Sequence, residues 1–411
     1  MSKLAGFHRH LVGTGAKKPW EQMVFCMLLP VSFFYGVISW ARNFCYDYKL
    51  FPAYKSSLPV ISVGNLAVGG TGKTPAVDWL VKEFHKQGKR PAIVSRGYGG
   101  SFEGEVGVVS FGNGILMTAT ECGDEPYLLA KRNPNCSVLI AKKRINGIKA
   151  LERSKESDLI ILDDGFQHRA VRRDVDLVLL DATRPLGNGW PLPSGNLREF
   201  PQALKRADFL LMTRSNRQKC SDFLGFKVCH SHHQLADIAV SLDGSKVSVS
   251  QLKKLNLLAF AGIADPESFF SSLENIGLSL KEKLSFADHT EYQGQILERL
   301  HNTAVDVDAL ITTEKDAVKL SADMFELPCY QLAMNIMIDN SEELLNSLTK
   351  RLWSQLMPVR SELLEILACP KCKQAVDLAT EGDAIICNNC RLRYPLRDNI
   401  PVMLIDEAQS L

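Results

Sequence analysis

Six short apolar runs punctuate the first half of the chain: LPVISVG (58–64), PAIVS (91–95), SVLIA (137–141), DLIILDD (158–164), DLVLLD (176–181) and DFLLM (208–212). None alternates between polar and apolar residues. A strand that is apolar on both sides is covered on both faces, which is the condition of parallel strands sandwiched between helices. Two further runs, LNLLAFAGI (255–263) and VDALITT (307–313), repeat the pattern after a polar stretch. The expected fold is therefore α/β, a parallel sheet followed by a second, smaller α/β lobe, with the seam near 215–255.

The first run leads into NLAVGGTGKTP (65–75), and from Gly72 to about Gln87 the spacing of Val77, Leu80, Val81 and Phe84 is helical. A glycine-rich turn between a strand and a helix lets backbone N–H groups converge on phosphate oxygens at the positive end of the helix dipole. Ala67 stands where the pattern G-x-x-x-x-G-K-[ST] requires its first glycine. That is tolerable if Ala67 keeps a negative φ and Gly69 and Gly70 supply the special backbone angles. The expected ATP cradle is Ala67, Val68, Gly69, Gly70, Thr71 and Gly72, with Lys73 reaching the β- and γ-phosphates and the Thr74 hydroxyl on Mg²⁺.

Asp163 and Asp164 end a buried apolar run, the place where open α/β sheets bind ligands and a donor set suited to Mg²⁺. Three more polar clusters fall where strands end. SRGYGG (95–100) presents Arg96, as a site residue or an ordinary exposed turn arginine. CGDEP (122–126) puts Asp124 just before a helix, as a cap or as a chemical group. PSGNLREF (193–200) offers Arg198 and Glu199, as ligands or as a solvated pair. In the second lobe FADHTEY (286–292) carries Asp288 and His289, and TTEKDAVKL (312–320) is a dense charged turn. CHSHH (229–233) has the spacing of no common metal site, and strand alternation would split its ligands.

Gln22–Ala41 holds no charged side chain, is long enough to cross a bilayer as a helix, and is flanked by Trp20, Trp40 and Tyr46. Residues 1–60 carry seven basic residues (Lys3, Arg9, Lys17, Lys18, Arg42, Lys49, Lys55) and two acidic ones (Glu21, Asp47), a local +5 in a chain of net charge +2. Positive charge on both sides favours a helix lying in the inner leaflet of an anionic membrane over a simple crossing, with the body cytosolic; a buried soluble helix is the competing reading. The small net charge gives no support to a nucleic-acid partner. Seven cysteines (Cys26, Cys45, Cys122, Cys136, Cys220, Cys229, Cys329) are scattered, as reduced thiols of a cytosolic body are. The other four, Cys369-x-x-Cys372 and Cys387-x-x-Cys390, are separated by fourteen residues and have the spacing of a four-thiolate zinc ribbon.

Taken together and in this order, VGNLAVGGTGKTP, SRGYGG, GDEP, DDGFQHR, DATRPLGNG, PSGNLREF, FADH and TTEKDAVK resemble the tetraacyldisaccharide 4′-kinase family over roughly residues 10–350. The resemblance implies transfer of the ATP γ-phosphate to the 4′-hydroxyl of a tetraacylated glucosamine disaccharide 1-phosphate, the lipid A precursor, giving lipid IVA. It implies an Asp–His pair as base, carried here by Asp124 and His289. A carboxylate oriented by an imidazole can take the proton of a sugar hydroxyl as it attacks, while Mg²⁺, Lys73 and Arg96 or Arg198 neutralise charge. Mg²⁺ would be held by Thr74 and Asp163, with Glu125, Asp164 or Glu199 as unranked alternatives for a further ligand. Residues 362–411 resemble the small Trm112-like proteins, which implies a zinc-ribbon fold; four protein ligands would make its zinc closed and structural, and the module's role stays open between partner binding or stabilisation and a fused neighbour of unrelated role.

The expected organisation is a membrane-associated helix and basic flank (1–57), a P-loop core (58–215), a second lobe (216–350), a linker (351–361) and the ribbon (362–411). Two other functions compete. A P-loop switch or metallochaperone would need a guanine-reading N-K-x-D or a cysteine pair near the P-loop, and the sequence has neither. A soluble nucleotide kinase would have no use for Gln22–Ala41.

Overall fold

The structure, a computed structural model, describes residues 18–215, 222–354, 361–379, 384–397 and 400–411. Lys3, Arg9, Lys17 and Cys220 lie outside the described residues. Two compact units are present, Met1–Ser341 and Glu342–Leu411. The division falls inside the expected second lobe, at the start of the helix Ser341–Ser354. Residues 351–354 of the expected linker end that helix, and 355–360 lie outside the described residues.

The apolar runs are strands. β1 (Val60–Asn65), β2 (Pro91–Ser95), β3 (Gly107–Phe111), β4 (Ser137–Ile140), β5 (Leu159–Asp163), β6 (Val175–Asp181) and β7 (Phe209–Thr213) lie in the order β7-β6-β1-β5-β2-β4-β3. All pair in parallel except the edge strand β3. Every residue of β1, β2, β4 and β5 is buried, as helices on both faces require. The helix α2 (Lys73–Lys86) contributes Val77, Leu80, Val81 and Phe84, each fully buried, at roughly 1.5–3 kcal/mol per large side chain.

The same sheet continues into the second lobe through β8 (Asp222–Phe223), β9 (Phe226–Ser241), β10 (Lys246–Ser248), β11 (Asn256–Ala261), β12 (Ser279–Ser285), β13 (Ala309–Thr313) and β14 (Cys329–Ile338), making 14 strands in all. The expected polar seam is β9, a 16-residue strand. Its first part runs parallel to β7 at Val228–His230, and its remainder pairs antiparallel with β14 from Ser231 to Ser241. β14, β13, β11 and β12 are mutually parallel. The second lobe's strands therefore run back toward the first, and the carboxyl ends of the two sets of strands converge. That reversal places loops from both lobes around one site.

The expected N-terminal helix, α1, spans Pro19–Asp47 and continues through Pro30. Its amphipathicity is inverted. Glu21, Ser32, Gly36 and Asn43 are buried, while Met23, Met27, Val31, Phe34 and Ile38 form an exposed apolar stripe. By length and composition alone it could cross a membrane.

In the second unit, strands Asp377–Leu378, Ala384–Cys387, Leu392–Arg397, Ile400–Pro401 and Gln409–Ser410 form a small antiparallel sheet. Its core contains Cys369, Val376, Ile385, Cys387 and Tyr394.

Candidate active site

The P-loop leaves β1 at Asn65, whose side-chain amide donates to Thr71 Oγ1 at 2.8 Å. Ala67 is not among the positive-φ residues; it forms an antiparallel bridge with Leu197, and the next amide, Val68 N–H, donates to Asn196 O at 2.7 Å. The missing glycine is thus not needed where Ala67 stands. Positive φ occurs at Gly69 (126°) and Gly72 (82°), not at Gly70, which corrects the expected pair. Gly72 is doubly constrained, because a Cβ there would lie 2.9 Å from His233 Nε2. Lys73 and Thr74 open α2, so the loop's amides and the helix's positive end face the same space.

Beside the P-loop, at the end of β5, Asp163 is buried and accepts from Ser95 Oγ at 3.0 Å through Oδ2. Its Oδ1 is buried with no hydrogen-bond partner among the described residues. Burial, then the charges of Glu125 and Asp164, push its pKa up to about 6. An orphaned carboxylate oxygen among other acids fits a hard divalent cation. Asp164, at φ 53°, accepts from Arg198 Nη1 at 3.0 and 2.8 Å and lies 3.5 Å from Lys73 Nζ. Burial opposes its charge, but Lys73 and Arg198 hold its pKa below the usual range. Arg198 is fixed in turn through its backbone, donating to Leu66 O at 2.8 Å.

Asp124 is the first residue of α3 (Asp124–Arg132), and the cap position is Gly123. Its carboxylate does no capping. Oδ2 lies 2.9 Å from His289 Nδ1 and 2.9 Å from Lys319 Nζ. Burial raises its pKa, but the His289 and Lys319 hydrogen bonds outweigh that and hold it lowered. His289 sits at φ 61°, against the Tyr98 ring at 5.7 Å, and its Nε2 faces Lys315 Nζ at 3.4 Å. Lys315 also reaches Asp288 at 3.0 Å and Glu125 at 3.5 Å. Burial opposes its charge, and these carboxylates hold its pKa raised. The TTEKDAVK turn therefore supplies two lysines that grip the pair.

Arg96 follows β2, exposed, and its side chain has no partner among the described residues. Thr74 is half-buried in the first turn of α2. Glu199 departs from expectation. It is buried and accepts from Arg42 at 3.2 Å, Asn43 at 2.7 Å and Arg206 at 2.8 Å. Its oxygens are taken up by Arg42 and Asn43 of α1 and by Arg206, which leaves them committed to holding that helix rather than to the Mg²⁺ expected of them. The CHSHH histidines diverge as alternation requires. His230 bonds Ser215 Oγ at 2.9 Å, while His233 backs onto Gly72.

In the second unit the thiol sulfurs of Cys369, Cys372, Cys387 and Cys390 all lie within 4.8 Å of one another. Each C-x-x-C is followed by a left-handed residue, Lys373 (φ 62°) and Arg391 (φ 48°), which turns both knuckles inward. Tyr394 OH lies 3.2 Å from Cys369 Sγ. Four thiolates so placed fit a closed tetrahedral zinc. Among the described residues no other cluster of this kind is present.

A P-loop beside a buried carboxylate pair, with an aspartate of the same lobe paired to a histidine of the second, defines a P-loop phosphotransferase. The family model for tetraacyldisaccharide-1-P 4′-kinase matches residues 24–353, and the chain belongs to that family. The tetraacyldisaccharide 4′-kinase of Syntrophotalea carbinolica is 45% identical over 84% of this chain and 97% of its own length. That of Geobacter sulfurreducens is 43% identical over 74% of this chain and 86% of its own. A crystal structure of LpxK from Aquifex aeolicus in complex with ATP superposes with a TM-score of 0.70 at 32% identity, covering 80% of this chain and 99% of that one. The Trm112p-like family model matches residues 360–399.

Proposed function

We propose that this chain transfers the γ-phosphate of ATP to the 4′-hydroxyl of a tetraacylated glucosamine disaccharide 1-phosphate, giving lipid IVA, at the cytoplasmic face of the bacterial inner membrane. The observation that carries the reading is one charge network joining the P-loop to the Asp124–His289 pair: Lys73 reaches Asp164, the charge of Glu125 acts on Asp163, and Lys315 of the second lobe lies between Glu125 and His289.

In this reading the loop from Ala67 to Gly72 cradles the phosphates, and Lys73 and Thr74 complete the nucleotide end. Thr74 and Asp163 hold Mg²⁺, with Glu125 and Asp164 beside them, and the orphaned Asp163 Oδ1 supports that assignment. Mg²⁺ supplies charge neutralisation on the transferring phosphoryl group. Arg198 and the unpaired Arg96 add positive charge. Asp124 is the base: both of its bonds go to Oδ2, which leaves Oδ1 for the sugar hydroxyl, and His289 orients it. The exposed apolar stripe of α1 lies in the bilayer surface, with the exposed Lys18, Lys49 and Lys55 toward anionic head groups. Zinc in the second unit is structural, and that unit serves a protein partner or stability.

The test is [γ-³²P]ATP with the purified disaccharide 1-phosphate in detergent micelles. Label in the lipid fraction is the expected result; a folded, ATP-binding preparation that leaves the lipid unlabelled overturns the proposal.

A further inference from the structure

We propose that Asn43 of α1 is a positioning residue for the nucleotide end of the site, so that the apolar helix is a strut of the active site as well as its anchor. The inference rests on the reading of Arg198 and Asp164 as nucleotide-site residues.

The body-facing side of α1 touches two site loops. Ser32 Oγ accepts from Ser194 N–H at 2.7 Å. A Cβ on Gly36 would fall 2.3 Å from the Phe200 ring, so the helix and that loop approach as closely as glycine allows. Asn43 is the buried centre of the contact. Its Nδ2 donates to Glu199 Oε2 at 2.7 Å, and its backbone carbonyl accepts from Arg169 of the DDGFQHR loop at 3.1 Å. Arg169 also reaches Asp47 at 2.8 Å.

Glu199 is next in the chain to Arg198, whose side chain grips Asp164 and whose backbone N–H bonds Leu66 at the root of the P-loop. Leu197 pairs with Ala67, and Asn196 O accepts from Val68. One short segment, 194–200, is therefore pinned on one side by α1 and on the other by the P-loop. A guanidinium holds its geometry only as well as the groups behind it are held. Among the described residues Asn43 is the one neutral donor on a buried carboxylate otherwise met by Arg42 and Arg206, so it fixes where Glu199 sits between the two cations.

The test uses the full chain in detergent micelles, where bilayer attachment does not limit the reaction, and compares Asn43→Leu, Arg198→Met and the double variant. Asn43→Leu is expected to raise the KM for MgATP about threefold to tenfold, and to add less than twofold on the Arg198→Met background, since coupled residues are non-additive. Asn43→Asp, which keeps the side-chain size, replaces Asn43→Leu if the latter does not fold, with the same expectation. Wild-type KM in the Asn43 variant, or a full additional effect in the double variant, overturns the inference while leaving the nucleotide site intact. An Arg198→Met enzyme with unchanged MgATP kinetics overturns the site assignment and the inference with it.

Discussion

His289 Nδ1 lies 2.9 Å from Asp124 Oδ2 across 165 positions of sequence and two halves of one sheet. The contact exists because β9 carries the chain out of the first lobe while β12, parallel to β14 and so opposed to β9, runs back, and the loop after it returns to the start of α3. Lys319 completes the grip on the same oxygen.

Asp124→Ala is expected to lower kcat by about 10²–10⁴ with the KM for ATP within about twofold of wild type. Steady-state kinetics in micelles check this. Loss of ATP affinity with unchanged turnover would reduce Asp124 to a structural residue of α3.

Asp163 links stability to pH in the metal-free protein. Its folded pKa, about 6, stands above its ordinary 3.8, so the folded form holds the proton more tightly. That stabilisation is fully present below the unfolded pKa and is lost as pH rises through about 6. Above that pH the ionised buried carboxylate costs on the order of 3 kcal/mol. Asp163→Asn in EDTA should therefore be more stable than wild type at pH 8, with the difference shrinking at pH 5, and should lose Mg²⁺-dependent turnover. Urea unfolding at the two pH values measures it, and equal stability at both contradicts the assignment.

Replacing Met27, Phe34 and Ile38 together with serine should reduce flotation with anionic vesicles at least about tenfold, since each is a large side chain on the exposed stripe. Undiminished flotation would place the membrane contact elsewhere.

Cys387→Ser should lower zinc from about one ion per chain to a small fraction and expose residues 362–411 to protease, because a structural zinc site contributes folding energy directly. Retained stoichiometric zinc would contradict a four-thiolate site.

The strands of the P-loop lobe were legible because burial on both faces leaves an unbroken apolar run: PAIVS is β2 residue for residue. β9 was not legible, because its faces alternate and its sequence reads as polar seam. In the same way the edge strand β12, SLKEKLS, is mostly exposed. Lys73 is legible from the glycine-rich turn that precedes it, and Asp163 and Asp164 because they close an unbroken apolar strand. Glu199 reads in sequence as a loop acid beside Arg198, because its partners Arg42 and Asn43 lie 157 and 156 positions away. Lys315 and Lys319 were visible only as charge, since nothing local pairs them with Asp288 and Asp124.

The measurement that bears most directly on the whole account is the structure of the product. After incubation of the full chain with ATP, Mg²⁺ and the tetraacyldisaccharide 1-phosphate, mass spectrometry and ³¹P NMR should show one added phosphomonoester, on the 4′ oxygen, in amounts matching the ADP formed. ADP and inorganic phosphate accumulating beside unchanged lipid would contradict it.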